Sequence, residues 1–131
     1  MTPMAAKRMR SPLGRAIGLG SAKEGVEPWL RERTTAVALI PLTLWFVASI
    51  IAHTGESYAE FVAWLRTPVA TCAMILLLIA LFGHASLGLR VVIEDYVHSA
   101  AKIPSLIVMR LACFGLLAVG ILAVLRIAFG H

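Results

Sequence analysis

The chain has 131 residues, 60% of them hydrophobic and 15% charged, with a mean hydropathy of +0.87. That is too apolar for a soluble domain of this size, and it leaves room for three membrane spans but not for a separate catalytic domain. The net charge of +5 does not point to nucleic acid, because seven of the twelve lysines and arginines fall in the first 33 residues, ahead of any apolar run; that asymmetry is the positive-inside signal of a membrane protein.

Residues 1–26 carry Lys7, Arg8, Arg10, Arg15 and Lys23 among repeated glycines and serines, with no acid before Glu24. This composition predicts an irregular basic tail. Pro28-Trp29-Leu30 follows as an interfacial approach to the membrane, with Pro28 able to start a helix and Trp29 at head-group depth. The basic tail and this approach make up residues 1–33, and a three-helix membrane domain occupies 34–131.

The first span is expected over about residues 34–53, with a mild kink at Pro41 where neighbouring helices absorb the lost hydrogen bond. His53 at its far end is most simply a solvated interfacial residue. Residues 54–67, with Glu56, Tyr58, Glu60, Phe61, Trp64 and Arg66, form an amphipathic connector along the outer surface. Pro68 opens the second helix, predicted over 68–96, and Pro104 the third, over about 104–127. Cys72 and Cys113 lie inside spans, without metal-type spacing, and read as small buried apolar residues. Gly115 and Gly120 are candidates for close helix packing.

Counting by side puts ten basic residues on the cytoplasmic face (the seven of the tail with Arg90, Lys102 and Arg110) against Arg66 and Arg126 outside. The N terminus is therefore expected in the cytoplasm and the C terminus in the periplasm. The fold class is all-α: an integral membrane protein with three transmembrane helices.

The chain is organised around the end of the second apolar run, from His84 to His98. At about 100° per residue, His84, Gly88, Val91 and Asp95 share one helix face. Ionisable groups inside a membrane are costly and mark functional sites, and imidazole is the usual protein ligand of haem iron or a metal. Gly88, one turn past His84, removes a side chain where a flat group would approach the backbone. Asp95 and Tyr96 lie roughly 16 to 18 Å further along the helix, at the membrane surface, where they suit a hydrogen-bonding pocket for a polar head group. A second reading stands beside this one: a packed membrane histidine, a glycine used for helix contact, and a solvated helix end with an aromatic anchor. Arg90 reads either as a snorkelling topology anchor or as a contact to an acidic cofactor group.

His53, His98 and His131 all fall at or beyond the membrane interfaces, so the chain cannot supply a second histidine at the depth of His84. An iron held by two histidines there would need another subunit to supply the second.

The pattern of His84, Gly88 and Asp95-Tyr96 at the end of the second of three spans resembles the hydrophobic membrane anchor D subunit of succinate dehydrogenase, respiratory complex II. Ser11-Pro-Leu-Gly-Arg15, Gly18-Leu-Gly-Ser-Ala-Lys-Glu-Gly25 and Arg33-Thr-Thr-Ala-Val-Ala-Leu39 look like the N-terminal region of bacterial members. The resemblance implies that His84 is an axial ligand of haem b, with Gly88 packing close to it and the other ligand coming from a cytochrome b556 C subunit. It implies that Tyr96 donates to a ubiquinone carbonyl with Asp95 beside it, and that Arg33 meets the haem propionates or the iron–sulfur subunit. FAD and iron–sulfur clusters would belong to partner flavoprotein and iron–sulfur subunits, and the chain alone would have no catalytic residue. The expected location is the bacterial inner membrane, with the mitochondrial inner membrane as the alternative. Two other functions compatible with the residues are a haem-bearing membrane subunit of a different electron-transfer complex and a purely structural membrane subunit.

Overall fold

A computed structural model describes residues 22–130, with side chains from Val26 onward. His131, the motif at 11–15 and most of that at 18–25 lie outside the described residues. Four helices account for nearly all of them: α1 (Ala22–Ala52), α2 (Tyr58–Leu65), α3 (Pro68–Tyr96) and α4 (Lys102–Phe129). Among the described residues there is no strand. Helices α1, α3 and α4 are each long and apolar enough to cross a membrane, over Val26–Ala52, Pro68–Tyr96 and Lys102–Phe129. At 1.5 Å per residue the shortest of them reaches roughly 40 Å, beyond the ~30 Å hydrocarbon layer. The chain divides into two units, Met1–Arg33 and Thr34–His131.

Helix α1 begins at Ala22, ahead of Pro28, which the sequence offers as a helix start, and of the span expected from about residue 34. Its first turns are polar, yet side-chain pairs one turn apart support them. Arg31 donates to Glu27 at 2.9 Å, and the Arg33 guanidinium lies 5.6 Å from the centre of the Trp29 ring. Spacings of four residues place such pairs side by side on a helix and stabilise it by a few tenths of a kcal/mol each. Pro28, in the second turn of α1, removes one backbone bond without ending the helix, which also runs unbroken through Pro41.

The turn after α1 is made by Gly55, whose φ of 92° is open to glycine and strained for other residues. Helix α2 then starts at a capping box. The Glu60 N–H donates to the Ser57 hydroxyl, and the Ser57 N–H donates back to the Glu60 carboxylate. Thr67 caps α3 just ahead of Pro68, accepting from the Ala70 N–H, while the Thr67 and Thr71 hydroxyls donate to the carbonyls of Trp64 and Leu65.

Helices α3 and α4 run antiparallel along most of their length. A seam lies between them; Ala70, Leu77 and Ala80 of α3 and Met109 of α4 are the buried apolar residues among those described. Gly120 belongs to this seam, because a Cβ there would lie 3.2 Å from a Leu78 methyl. Gly115 does not, since a Cβ there would meet nothing within 4 Å. Arg66 ties the far end together, donating to the carbonyls of Ile127 at 3.0 Å and Gly130 at 2.7 Å. A cation at a helix C terminus satisfies orphaned carbonyls and complements the helix dipole. Large apolar side chains such as Val37, Leu44, Ile51, Leu111, Phe114 and Val119 remain exposed on the chain. In a membrane protein those faces meet lipid or other subunits rather than water. Cys72 is also exposed, contrary to its expected burial, and Cys113 is half-buried.

Candidate functional site

His84 lies past the midpoint of α3, half-buried, in an otherwise apolar stretch of helix. Its Nδ1 is 3.2 Å from the Thr35 hydroxyl of α1. Its other ring nitrogen, Nε2, makes no hydrogen bond among the described residues. One turn further on, a Cβ added to Gly88 would meet nothing within 4 Å, so this glycine is not spent on packing against the rest of the chain. The pair therefore presents an imidazole nitrogen beside a smooth stretch of helix surface. An imidazole nitrogen is a donor of the kind that haem iron or another metal takes, and the bare glycine leaves room beside the helix. No group of three or more His, Cys, Asp or Glu side chains able to hold a metal ion forms among the described residues.

Asp95 and Tyr96 are the last two residues of α3, which stops as Val97 turns extended (φ −102°, ψ 103°). Tyr96 is 81% exposed. Asp95 is exposed and makes no hydrogen bond or ion pair among the described residues. The next residue inward is engaged instead: Glu94 accepts from Arg90 at 2.8 Å, and its carbonyl accepts from the Lys102 ammonium at 3.4 Å. An open groove of about 200 Å³ lies here, lined by Arg90, Glu94, Ile103, Leu106, Ile107 and Arg110. Arg90 is thus held by an acid one turn along its own helix. Arg33 belongs to the unit Met1–Arg33, where its guanidinium covers Trp29.

His53 departs from its expected solvated state. Its Nδ1–H donates to the Ser49 carbonyl at 2.8 Å, and its ring stacks on Trp64 with centroids 4.4 Å apart. Phe61 packs edge-on to it, and Trp45 lies against Trp64 at 6.0 Å. Burying the ring's apolar faces against aromatics outweighs hydration of one imidazole edge.

A model of the succinate dehydrogenase/fumarate reductase transmembrane subunit matches residues 7–127. The chain belongs to this family. It is a membrane anchor of the succinate dehydrogenase type, outside the enzyme's catalytic core. The succinate dehydrogenase hydrophobic membrane anchor subunit of Rickettsia bellii is 30% identical over 110 residues, covering 84% of this chain and 87% of that one. The subunit of the same name in Paracoccus denitrificans is 28% identical over 123 residues, covering 94% and 95% of the two chains. That of Rickettsia conorii is 28% identical over 106 residues, covering 79% and 84%. No solved structure matches the chain significantly.

Thr35 is the neighbour of His84 that sequence reasoning missed. It falls inside the Arg33-Thr-Thr block, but its partner is 49 residues away, and periodicity along one helix carries no signal about a contact with another.

Proposed function

We propose that this chain anchors a bacterial succinate dehydrogenase in the inner membrane, with its N terminus in the cytoplasm and its C terminus in the periplasm. Together with a cytochrome b556 C subunit it holds the flavoprotein and iron–sulfur subunits on the membrane. His84 would hold haem b through Nε2, with Gly88 leaving room for it, and the C subunit would supply the second ligand. Haem b bound there contributes one-electron redox chemistry.

Tyr96 and Asp95 form this chain's share of the ubiquinone site. The phenol donates a hydrogen bond to a quinone carbonyl, and the carboxyl group delivers protons at the aqueous edge, since quinone reduction consumes two. Arg33 contributes its guanidinium to the haem propionates or to the docking surface for the iron–sulfur subunit. Electrons reach this site from FAD and iron–sulfur clusters carried by the partner subunits, so the chain alone does not oxidise succinate.

The observation that carries the reading is the state of His84: inside a span, held at one nitrogen and unbonded at the other among the described residues, next to an uncovered glycine. His84 is half-buried and no buried side-chain nitrogen or oxygen among the described residues lacks a partner, so Nε2 opens outward from the chain, where a group from outside it can reach. The quinone half is tested by Tyr96→Phe in the assembled complex. Succinate-to-ubiquinone turnover falls roughly 10- to 100-fold, the size of one lost hydrogen bond to substrate, with haem retained. Unchanged turnover would remove Tyr96 from the site.

A further inference from the structure

We propose that Thr35 is a positioning residue for His84, its hydroxyl accepting the Nδ1–H bond that leaves the Nε2 lone pair directed at the iron. The proposal rests on the haem reading above and deepens it.

The geometry sets the direction of the bond. A neutral imidazole has one N–H, and whichever nitrogen binds a metal must present a lone pair. With Nε2 as ligand the proton sits on Nδ1, and the group 3.2 Å from Nδ1 is the Thr35 oxygen. A hydroxyl accepts as readily as it donates, and a helical threonine can give its own O–H to a carbonyl a turn back. The oxygen's lone pairs then face the histidine. Among the described residues no other group bonds to the His84 ring.

The hydroxyl is itself held in place. Thr35 is β-branched, so its χ1 is restricted in a helix. Its methyl lies 3.6 Å from where a Cβ on Gly83 would stand, so the Thr35 side chain rests against the residue preceding His84. The methyl and the hydroxyl of one side chain thereby fix the helix backbone and the imidazole plane together. This contact joins α1 to α3 within the unit Thr34–His131 and sits in a part-buried, low-dielectric setting.

An acceptor on Nδ1–H makes the imidazole a stronger donor to iron, favouring the ferric state and tightening the ligand. Removing the acceptor therefore raises the haem midpoint potential and weakens haem retention about 10-fold or more.

The experiment uses the native complex in detergent, comparing wild type, Thr35→Val, Thr35→Ser and His84→Leu by haem content per complex, visible spectrum and redox titration. Valine keeps the shape and deletes the acceptor, and serine keeps the acceptor. The proposal expects a more positive potential and readier loss of haem in Thr35→Val, with Thr35→Ser close to wild type. Where Thr35→Val does not assemble, Thr35→Ala is read in the same way. An assembled valine or alanine variant with wild-type potential and haem retention overturns the role of Thr35. A low-spin haem signal that survives His84→Leu unchanged overturns the haem reading itself, a distinct outcome.

Discussion

Two histidines of the same unit meet opposite fates. His53 is closed in by its own chain: one nitrogen donates to the Ser49 carbonyl, and its ring lies among Trp64 and Phe61. His84 is half-finished, with one nitrogen held by Thr35 and the other, among the described residues, without a partner beside an uncovered glycine. The contrast extends to the surrounding ends of the bundle. Around His53, the Ser57–Glu60 capping box and the Arg66 bonds to the end of α4 satisfy helix termini internally. On the His84 side, Asp95 and Tyr96 stand exposed, with no bond on Asp95 among the described residues. Under the proposed function the His53 end serves structure and the His84 end, with Asp95 and Tyr96, serves chemistry.

If that division holds, substitutions on the open side change chemistry without changing stability, and those on the closed side do the reverse. The largest effect is expected at Asp95. Asp95→Asn slows quinone reduction about 100-fold, the low end for loss of a general acid, while thermal unfolding of the assembled complex stays within error. A drop in stability equal to the loss of activity would make Asp95 a structural residue.

On the seam, Gly120→Leu presses its side chain into Leu78 and costs about 1–3 kcal/mol by overpacking, seen as a lower unfolding temperature with per-complex turnover preserved. Arg66→Met removes two donors from the α4 terminus. Because the side chain is exposed, the expected loss is only about 1 kcal/mol, read by the same thermal measurement.

The smallest effect is a pH dependence. The Ser57 hydroxyl and then its backbone N–H hold the Glu60 carboxyl below the ordinary carboxylate range. The folded value is the depressed one, so the support this gives α2 is complete above the unfolded carboxylate pKa and is lost as pH falls through the lowered value. Amide protection at the start of α2 should weaken across that acidic window in wild type and lack this step in Glu60→Gln.

Much of this was legible in the sequence where one helix carries the whole signal. His84, Gly88 and Asp95 fall on one face because a helix turns 100° per residue, and the apolar runs announce three spans by length alone. The misses all involve contacts between distant residues or between polar and apolar tendencies. Thr35 and Arg66 find partners 49 and 61 to 64 residues away. His53 looked like a solvated helix end because its position was readable and the aromatic stack over it was not. The early start of α1 was hidden by Pro28 and a polar composition, which outweighed the spacing of Glu27 with Arg31 and Trp29 with Arg33.

The contrast between the two histidines reduces to one measurement: reduced-minus-oxidised visible spectra of the detergent-solubilised native complex, comparing wild type with His84→Leu and His53→Leu. The account predicts a low-spin b-type signal that His84→Leu abolishes or converts to high spin in an assembled complex, and that His53→Leu leaves unchanged. An intact wild-type complex with no haem signal, or a signal indifferent to His84, would contradict it.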